Sequence, residues 1–473
     1  MGTASLNFAI APAVDDTEAP PIPKARAWAE TYLSSSLSSS SPLLDLSQGV
    51  PRSAPHPEVL SSLSSISASP SAARYGPILG EPELRSSVAT EIQNQYLTSN
   101  VLSEDIAITA GCNMAFLVLL MVVCPPKTSI MLPLPAYFNQ SMCASLQSLN
   151  VVYIPAVPDK GFTASIESAR ISLEKDKKQV SSGTGLPGGQ GGDGREGTGR
   201  VGEGNGQGKI RMIVLVSPSN PTGTIYNHQQ LKEWYDLAKE FKVALVLDET
   251  YRDFVQGPNG NGIGQPHTLF DEPDWRGTLV CVGSFSKGYR IPGHRLGSII
   301  ASPVLLKRIT TVCDCMQICA PRPPQLALAP LLAKLRSDLL ESSAQLSHRR
   351  RLFSETVNSV PGWSVDSIGG YFAYVSFPAA YLHASSVLGL KRKQLGSEDV
   401  ARVLATRVGV VTLPGAFFMP PLNADDVWEE IVDGDMLRQD RWLRFAVANV
   451  EDDVVLQLGP RLKQMNELMG MDD

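Results

Sequence analysis

Lys287 closes the tetrapeptide Ser284-Phe285-Ser286-Lys287, and Arg295 follows eight residues later in Pro292-Gly293-His294-Arg295-Leu296-Gly297. Asp248 ends the apolar run Val243 to Leu247, with Tyr251 three residues further on. Asn220-Pro221-Thr222-Gly223 follows another such run, Met212 to Val216. An amine, a carboxylate, a phenol, an amide and a guanidinium therefore stand just past buried-looking segments. That is the set which imine chemistry on pyridoxal phosphate (PLP) requires. A lysine condenses with the aldehyde, an acid stands beside the pyridine nitrogen, and a donor meets the ring hydroxyl. Cationic and hydroxyl groups hold the phosphate, and an arginine takes a substrate carboxylate. A lone lysine is usually a solvated surface charge. Its place behind a buried run, flanked by small hydroxyls, favours the chemical role for Lys287. Asn-Pro-Thr-Gly alone is a common turn, and an aspartate in this setting is otherwise a helix N-cap.

The elements that must position these groups follow from periodicity. Met212–Val216, Val243–Leu247, Thr278–Val282 and Gly297–Ala301 read as short buried strands. Between two of them, Gln229–Phe241 sets Leu231, Trp234, Leu237, Ala238 and Phe241 on one helical face. Buried strands alternating with helices give an α/β fold with a mostly parallel sheet covered on both faces. Ligands of such sheets sit outside the carboxyl ends of the strands, where the polar clusters fall. Met114–Cys124 reads as a buried helix, about half the length that spans a bilayer. From about Pro330 a long helical stretch, then GGYFAYVSF, GVVTLPGAFF and WLRFAVAN, indicate a smaller α+β domain.

Two stretches lack such patterning. Residues 1–42 are Pro- and Ser-rich and are expected to be a flexible arm. Residues 181–208 are dominated by glycine and are expected to be a disordered surface insertion. Their Gly183-Thr184-Gly185-Leu186-Pro187-Gly188 matches G-x-G-x-x-G only formally, because no strand enters it and no helix leaves it. The expected organisation is then the arm, an N-terminal part of the small domain at 43–65, a large PLP-binding domain at 66–329, and a C-terminal small domain at 330–473.

Composition narrows the function class. The 473 residues are 43% hydrophobic and 19% charged, as in a soluble globular protein. A net charge of -6 gives no basic footprint for nucleic acid and no polybasic membrane patch. Seven scattered cysteines and a start without a basic-then-apolar signal indicate a cytoplasmic setting with free thiols. Cys313, Cys315 and Cys319 lack a fourth ligand at zinc spacing, so no metal is expected.

LSQGVP at Gly49, ARYGPILGEPELRSSVA at Tyr75, ITAGCNMAF, PLPAYF, SPSNPTG, DETY, SFSK, PGHRLG and LRFAVAN occur in this order. Together they resemble the class I/II aminotransferase family of fold-type I PLP enzymes, from about Leu46 to the C-terminus apart from the insertion. The resemblance implies a seven-stranded-type sheet and a small domain built from both ends of the chain. It implies Lys287 as the Schiff-base lysine, holding the cofactor in the internal aldimine and moving a proton once the substrate forms the external aldimine. Asp248 would face the pyridinium nitrogen, and Tyr251 and Asn220 the ring hydroxyl. Ser284, Ser286, Arg295 and the backbone N–H groups of Cys112 and Asn113 would hold the phosphate. Tyr137 would stack on the ring. Tyr75 would reach a neighbouring subunit's phosphate, which implies a homodimer with shared sites. Arg444 would grip the substrate α-carboxylate, with Gly49 and Asn220 beside it; Arg441 fits that pattern less well. Cys112 and His294 depart from the residues most relatives carry.

The implied reaction moves the amino group of an L-amino acid to a 2-oxo acid, in amino acid metabolism or biosynthesis; the residues leave the choice between primary and specialised metabolism open. A lyase or cyclase on the same scaffold, by carbon–sulfur β-elimination or cyclopropane-forming γ-elimination, begins from the same α-carbanion and is the alternative. A non-catalytic amine sensor is a further reading, but the short N-terminal stretch has no room for the helix-turn-helix such regulators carry.

Overall fold

The computed structural model describes residues 7–181, 209–257, 262–387, 394–421, 429, 431 and 437–471. Eight strands form the large sheet: β1 (Ile106–Thr109), β2 (Ser129–Leu134), β3 (Asn150–Val157), β4 (Thr163–Ala164), β5 (Ile210–Val216), β6 (Ala244–Asp248), β7 (Leu279–Ser284) and β8 (Gly297–Ile300). Their order is β1-β8-β7-β6-β5-β2-β3-β4. Strands β2, β3, β5, β6 and β7 run parallel. Strand β8 is antiparallel to both its neighbours, and two-residue β4 pairs antiparallel at the edge. The sheet is thus of the expected seven-stranded kind, with a short eighth strand appended.

Alternation along each strand explains why the runs look uniformly apolar. Leu245 and Leu247 enter one core with Trp234 and Leu237 of the helix His228–Phe241. Val246, between them, enters a second core with Ala115 and Leu119 of the helix Cys112–Val123. Both faces are covered, so no residue of the strand needs to be polar. Among the described residues no helix is long and apolar enough to cross a membrane.

The small domain carries β9 (Ser364–Gly369), β10 (Phe372–Ser376), β11 (Leu413–Pro414) and β12 (Trp442–Ala446), in the antiparallel order β9-β10-β12-β11. The early segment Leu44–Asp45 pairs in parallel with Val410–Val411. Three expectations about organisation change. Residues 22–33, placed in a flexible arm, form a helix with Ala25, Trp28, Ala29 and Tyr32 buried. Their spacing is a helical stripe that the Pro- and Ser-rich composition around it obscures. The helix Pro57–Ser67, assigned to the small domain, instead buries Val59 and Leu63 in the large-domain core. The long helix Arg336–Asn358 serves both domains, since Leu339 packs in the large-domain core and Phe353 in the small-domain one.

The glycine-rich segment, including its G-x-G-x-x-G match, lies outside the described residues. Its roots are described. The Asp176 carboxylate accepts hydrogen bonds from the backbone N–H groups of Lys209 and Ile210, each at 3.0 Å. That places the return point at the amino end of β5, roughly 20 Å along the strand from its carboxyl end.

Candidate active site

Four strands deliver their polar groups to one edge of the sheet. Strand β1 ends before Gly111 and the helix Cys112–Val123, β5 before Asn220, β6 at Asp248, and β7 at Ser284, which caps the short helix Phe285–Gly288. Cys112, Asn113, Tyr137, Asn220, Asp248, Tyr251, Ser284, Ser286, Lys287 and Arg295 line a single cleft of about 200 Å³, together with Val216, Thr250 and Pro292. Ten of the thirteen residues singled out from the sequence therefore meet in one place.

Asp248 is 8% exposed, and burial pushes its carboxyl pKa up against the hydrogen bonds from Thr250 that pull it down. Its Oδ1 accepts from Thr250 N at 3.1 Å and from Thr250 Oγ1 at 2.8 Å. A buried carboxylate of this kind requires a cationic or hydrogen-bonding partner. A protonated pyridine nitrogen supplies both.

Lys287 Nζ donates to the carbonyl of Gly49 and lies 5.9 Å from the ring centres of Tyr251 and Tyr371. Burial lowers its pKa, and the charges of Arg444 and Arg295 lower it further, to about 8. The amine is thus much closer to its neutral, nucleophilic form than a surface lysine. Gly49 must be glycine here, because a Cβ would meet the Phe372 ring, with Cε1 at 2.7 Å.

Arg444 sits mid-strand in β12, paired in register with Tyr374 and Leu413, and is 3% exposed. Its Nη1 donates to Asn220 Oδ1 at 2.9 Å and its Nη2 to the carbonyl of Ser47. The guanidinium lies 4.5 Å from the Phe372 ring centre and 5.1 Å from that of Phe418. Its Nε has no hydrogen-bond partner. Arg441, by contrast, is engaged at the carbonyl of Phe377, 3.3 Å from its Nη2.

The other end of the cleft is an anion cradle. Gly111 has φ +92°, and a Cβ there would overlap the Arg295 guanidinium, with Cζ at 2.9 Å. A Cβ on Gly297 would fall 2.5 Å from the backbone nitrogen of Cys112. Only glycines at both places let the helix start, the strand end and Arg295 converge. The first N–H groups of the helix, the Ser284 and Ser286 hydroxyls and Arg295 form a donor set suited to a phosphate. The residues present therefore fit PLP at both ends: an anion cradle, a buried carboxylate, and a lysine of lowered pKa between them.

Tyr137 caps the helix Phe138–Leu146 and lies half-buried on the cleft wall. Burial, and after it the charge of Asp248, raises its pKa to about 12, so it is a neutral ring. Tyr75 is 78% exposed and lies outside the cleft. His294 is exposed. Sequence reasoning missed Thr250, Gln140, Ser47 and Tyr371. Thr250 was readable, since a hydroxyl two residues after an aspartate favours a local Asx-type turn. Gln140 and the carbonyl of Ser47 reach the site only through tertiary approach and leave no local mark.

Beneath Asp248, on the opposite face of the sheet end, Glu249, His267 and Cys281 form a buried group whose ligand atoms lie within 4.8 Å of one another. His267 Nδ1 accepts from the N–H of Leu269 at 3.1 Å, so Nε2 keeps the proton and donates to Glu249 Oε1 at 3.3 Å. That tautomer leaves no ring nitrogen free for a metal.

The sequence matches the family model for aminotransferase class I and II over residues 41–459. It is 24% identical to the aspartate aminotransferase of Sulfurisphaera tokodaii over 357 residues, 75% of this chain and 76% of that protein. It is 26% identical to a cystine lyase of Arabidopsis thaliana over 223 residues, 47% of this chain and 43% of the lyase. A solved structure of a Thermus thermophilus aspartate aminotransferase double mutant superposes with a TM-score of 0.71 at 17% identity, covering 97% of this chain and 100% of that one.

Proposed function

Because this chain belongs to the aminotransferase class I and II family of PLP-dependent enzymes, we propose that it moves the amino group of an L-amino acid to a 2-oxo acid, with Lys287 as both the imine-forming residue and the proton carrier. The observation that carries the proposal is the convergence on one cleft of Lys287, its pKa lowered to about 8, and the buried Asp248 carboxylate. Bound PLP supplies an electron-poor ring that takes up the electron pair left when the substrate α-hydrogen departs as a proton. Asp248 keeps that ring protonated. Arg295 and the helix start fix the phosphate, and Tyr137 covers one ring face.

Arg444 and Asn220 form one hydrogen-bonded unit at the substrate end. A substrate carboxylate on Arg444 would leave Asn220 beside the ring hydroxyl, so a single contact couples substrate seating to the ring. Lys287, with its pKa lowered to about 8, would serve as the base that takes the substrate α-hydrogen as a proton. The exposed Tyr75, outside this chain's own cleft, supports a homodimer in which a second copy completes the phosphate site. Composition supports a cytoplasmic location.

The match to a cystine lyase keeps elimination as a second reading. The deciding experiment is an absorbance screen of L-amino acids, one at a time, without a 2-oxo acid, on wild type and Lys287→Ala. Stoichiometric conversion of the bound cofactor to its amine form, absent in the variant, is the expected result. Catalytic release of ammonia and pyruvate would establish elimination instead. A protein that binds no PLP, or whose borohydride-trapped label sits on another lysine, would overturn both.

A further inference from the structure

The two oxygens of Asp248 are unequally engaged. Oδ1 holds the N–H of Thr250 at 3.1 Å and its hydroxyl at 2.8 Å, and the Cys112 thiol lies 3.9 Å away. Oδ2 meets the side-chain amide of Gln140 at 3.4 Å, near the limit of a hydrogen bond. A carboxylate oxygen accepts about two bonds, so Oδ1 is filled and Oδ2 keeps a strong acceptor site. The terminal torsion of an aspartate is soft and nearly two-fold, so nothing in the side chain itself selects one oxygen.

We propose that Thr250 and Gln140 are positioning residues that act through Asp248: Thr250 pins Oδ1 so that Oδ2 presents to the ring nitrogen of PLP, and Gln140 steadies Oδ2 from the side. The inference rests on the PLP reading above. Gln140 is 4% exposed and stands in the first turn of the helix Phe138–Leu146, capped by Tyr137. Its backbone N–H donates to the carbonyl of Tyr137 at 2.9 Å. One helical turn therefore carries both the ring-covering phenol and the amide on the carboxylate. Thr250 supplies two donors from a single residue because a turn after β6 folds its N–H and hydroxyl back onto the strand's last side chain. The Gln140 amide is neutral, so it steadies Oδ2 without cancelling the negative charge that the ring nitrogen needs.

The test separates action through the ring nitrogen from mere structural support. Wild type, Thr250→Val, Thr250→Ser and Gln140→Leu are each loaded with PLP or with 1-deaza-PLP, in which the ring nitrogen is replaced by C–H. Cofactor release from the loaded proteins is followed by absorbance, and melting curves report folding. A hydrogen bond to a charged group lost in Thr250→Val makes PLP leave about 10-fold faster. Release of the deaza analogue stays within about twofold, because no nitrogen is there to be presented. Thr250→Ser restores PLP retention, and Gln140→Leu shows a smaller loss, about threefold, also confined to PLP. Equal acceleration for both cofactors, or no acceleration for PLP in either variant, overturns the assignment. The underlying PLP reading fails separately, if wild type retains no PLP on Lys287.

Discussion

Replacing Gly111 by alanine probes the anion cradle at its tightest point. Gly111 has φ +92° and ψ 164°, a backbone region that residues with a Cβ rarely enter. Forcing alanine into it costs about 1–3 kcal/mol of folding stability. The added methyl would also overlap the Arg295 guanidinium, whose Cζ lies 2.9 Å from the Cβ position. Arg295 is exposed, with its Nη1 donating to the carbonyl of Pro292 at 3.0 Å, so its open direction is outward. The guanidinium must swing away from the helix start, losing at least one charged hydrogen bond to a phosphate, about 1.5–3 kcal/mol. PLP should then leave or dissociate roughly 10- to 150-fold more readily. The assay is an absorbance titration of PLP into Gly111→Ala, with melting curves of the PLP-loaded protein. Asn113→Ala is the control. Its side chain is exposed, the backbone N–H is the expected donor, and affinity should stay within about threefold. Gly111→Ala binding PLP as tightly as wild type would refute the cradle.

Arg444→Lys keeps the charge but loses the planar fork and its placement between Phe372 and Phe418, so apparent amino-acid affinity should fall about 10- to 100-fold in single-turnover spectra. The same variant should handle an amine lacking a carboxylate as wild type does. With Lys287 lowered to about 8, the neutral amine predominates above that pH, so imine formation on PLP-free protein should rise from pH 7 to 9 and then level. The unfolded chain, with lysine near 10.5, binds more protons between these values, so this residue's contribution makes stability increase from about pH 8 to 10.5. Removing charge by Arg444→Gln should move the rate midpoint upward. If Tyr75 completes a partner's site, mixing and re-associating Tyr75→Ala with Lys287→Ala should recover about a quarter of wild-type activity, since half the dimers are hybrids with one intact site each. No recovery in demonstrably mixed dimers would remove Tyr75 from the site. Dialysis against a chelator should leave the melting curve and cofactor spectrum unchanged, because the protonated His267 Nε2 cannot bind a metal.

The site was legible because its residues follow strands whose apolar runs are self-announcing. Val243–Leu247 needed no partner to be recognised, and Asp248 is where its run ends. Arg295 and Lys287 were legible for the same reason, lying on either side of the turn between β7 and β8. Domain membership was not. Val59 and Leu63 look the same whichever core receives them, and the choice is made by tertiary packing. The helix at residues 22–33 was hidden by reading composition over forty residues where a twelve-residue window was needed. Gln140 lies 108 residues from Asp248, and no local pattern encodes that approach.

Charge explains why these residues tolerate one another. Among the described residues lining the cleft, Asp248 is the carboxylate, while Lys287 and Arg295 are cations and Arg444 stands behind Asn220. Burial lowers the Arg444 pKa to about 10, still charged at neutral pH, and both arginines depress Lys287. Such a surplus of positive charge, with Arg444 buried, is unfavourable unless ligands neutralise it. A phosphate near -2 facing Arg295 and the helix start, a substrate carboxylate facing Arg444, and a ring proton facing Asp248 would compensate each charge in turn. The lysine is the group left without a fixed counter-ion. Its burial first, and then the charges of Arg444 and Arg295, bring its pKa down to about 8, where it can exchange a proton near neutral pH.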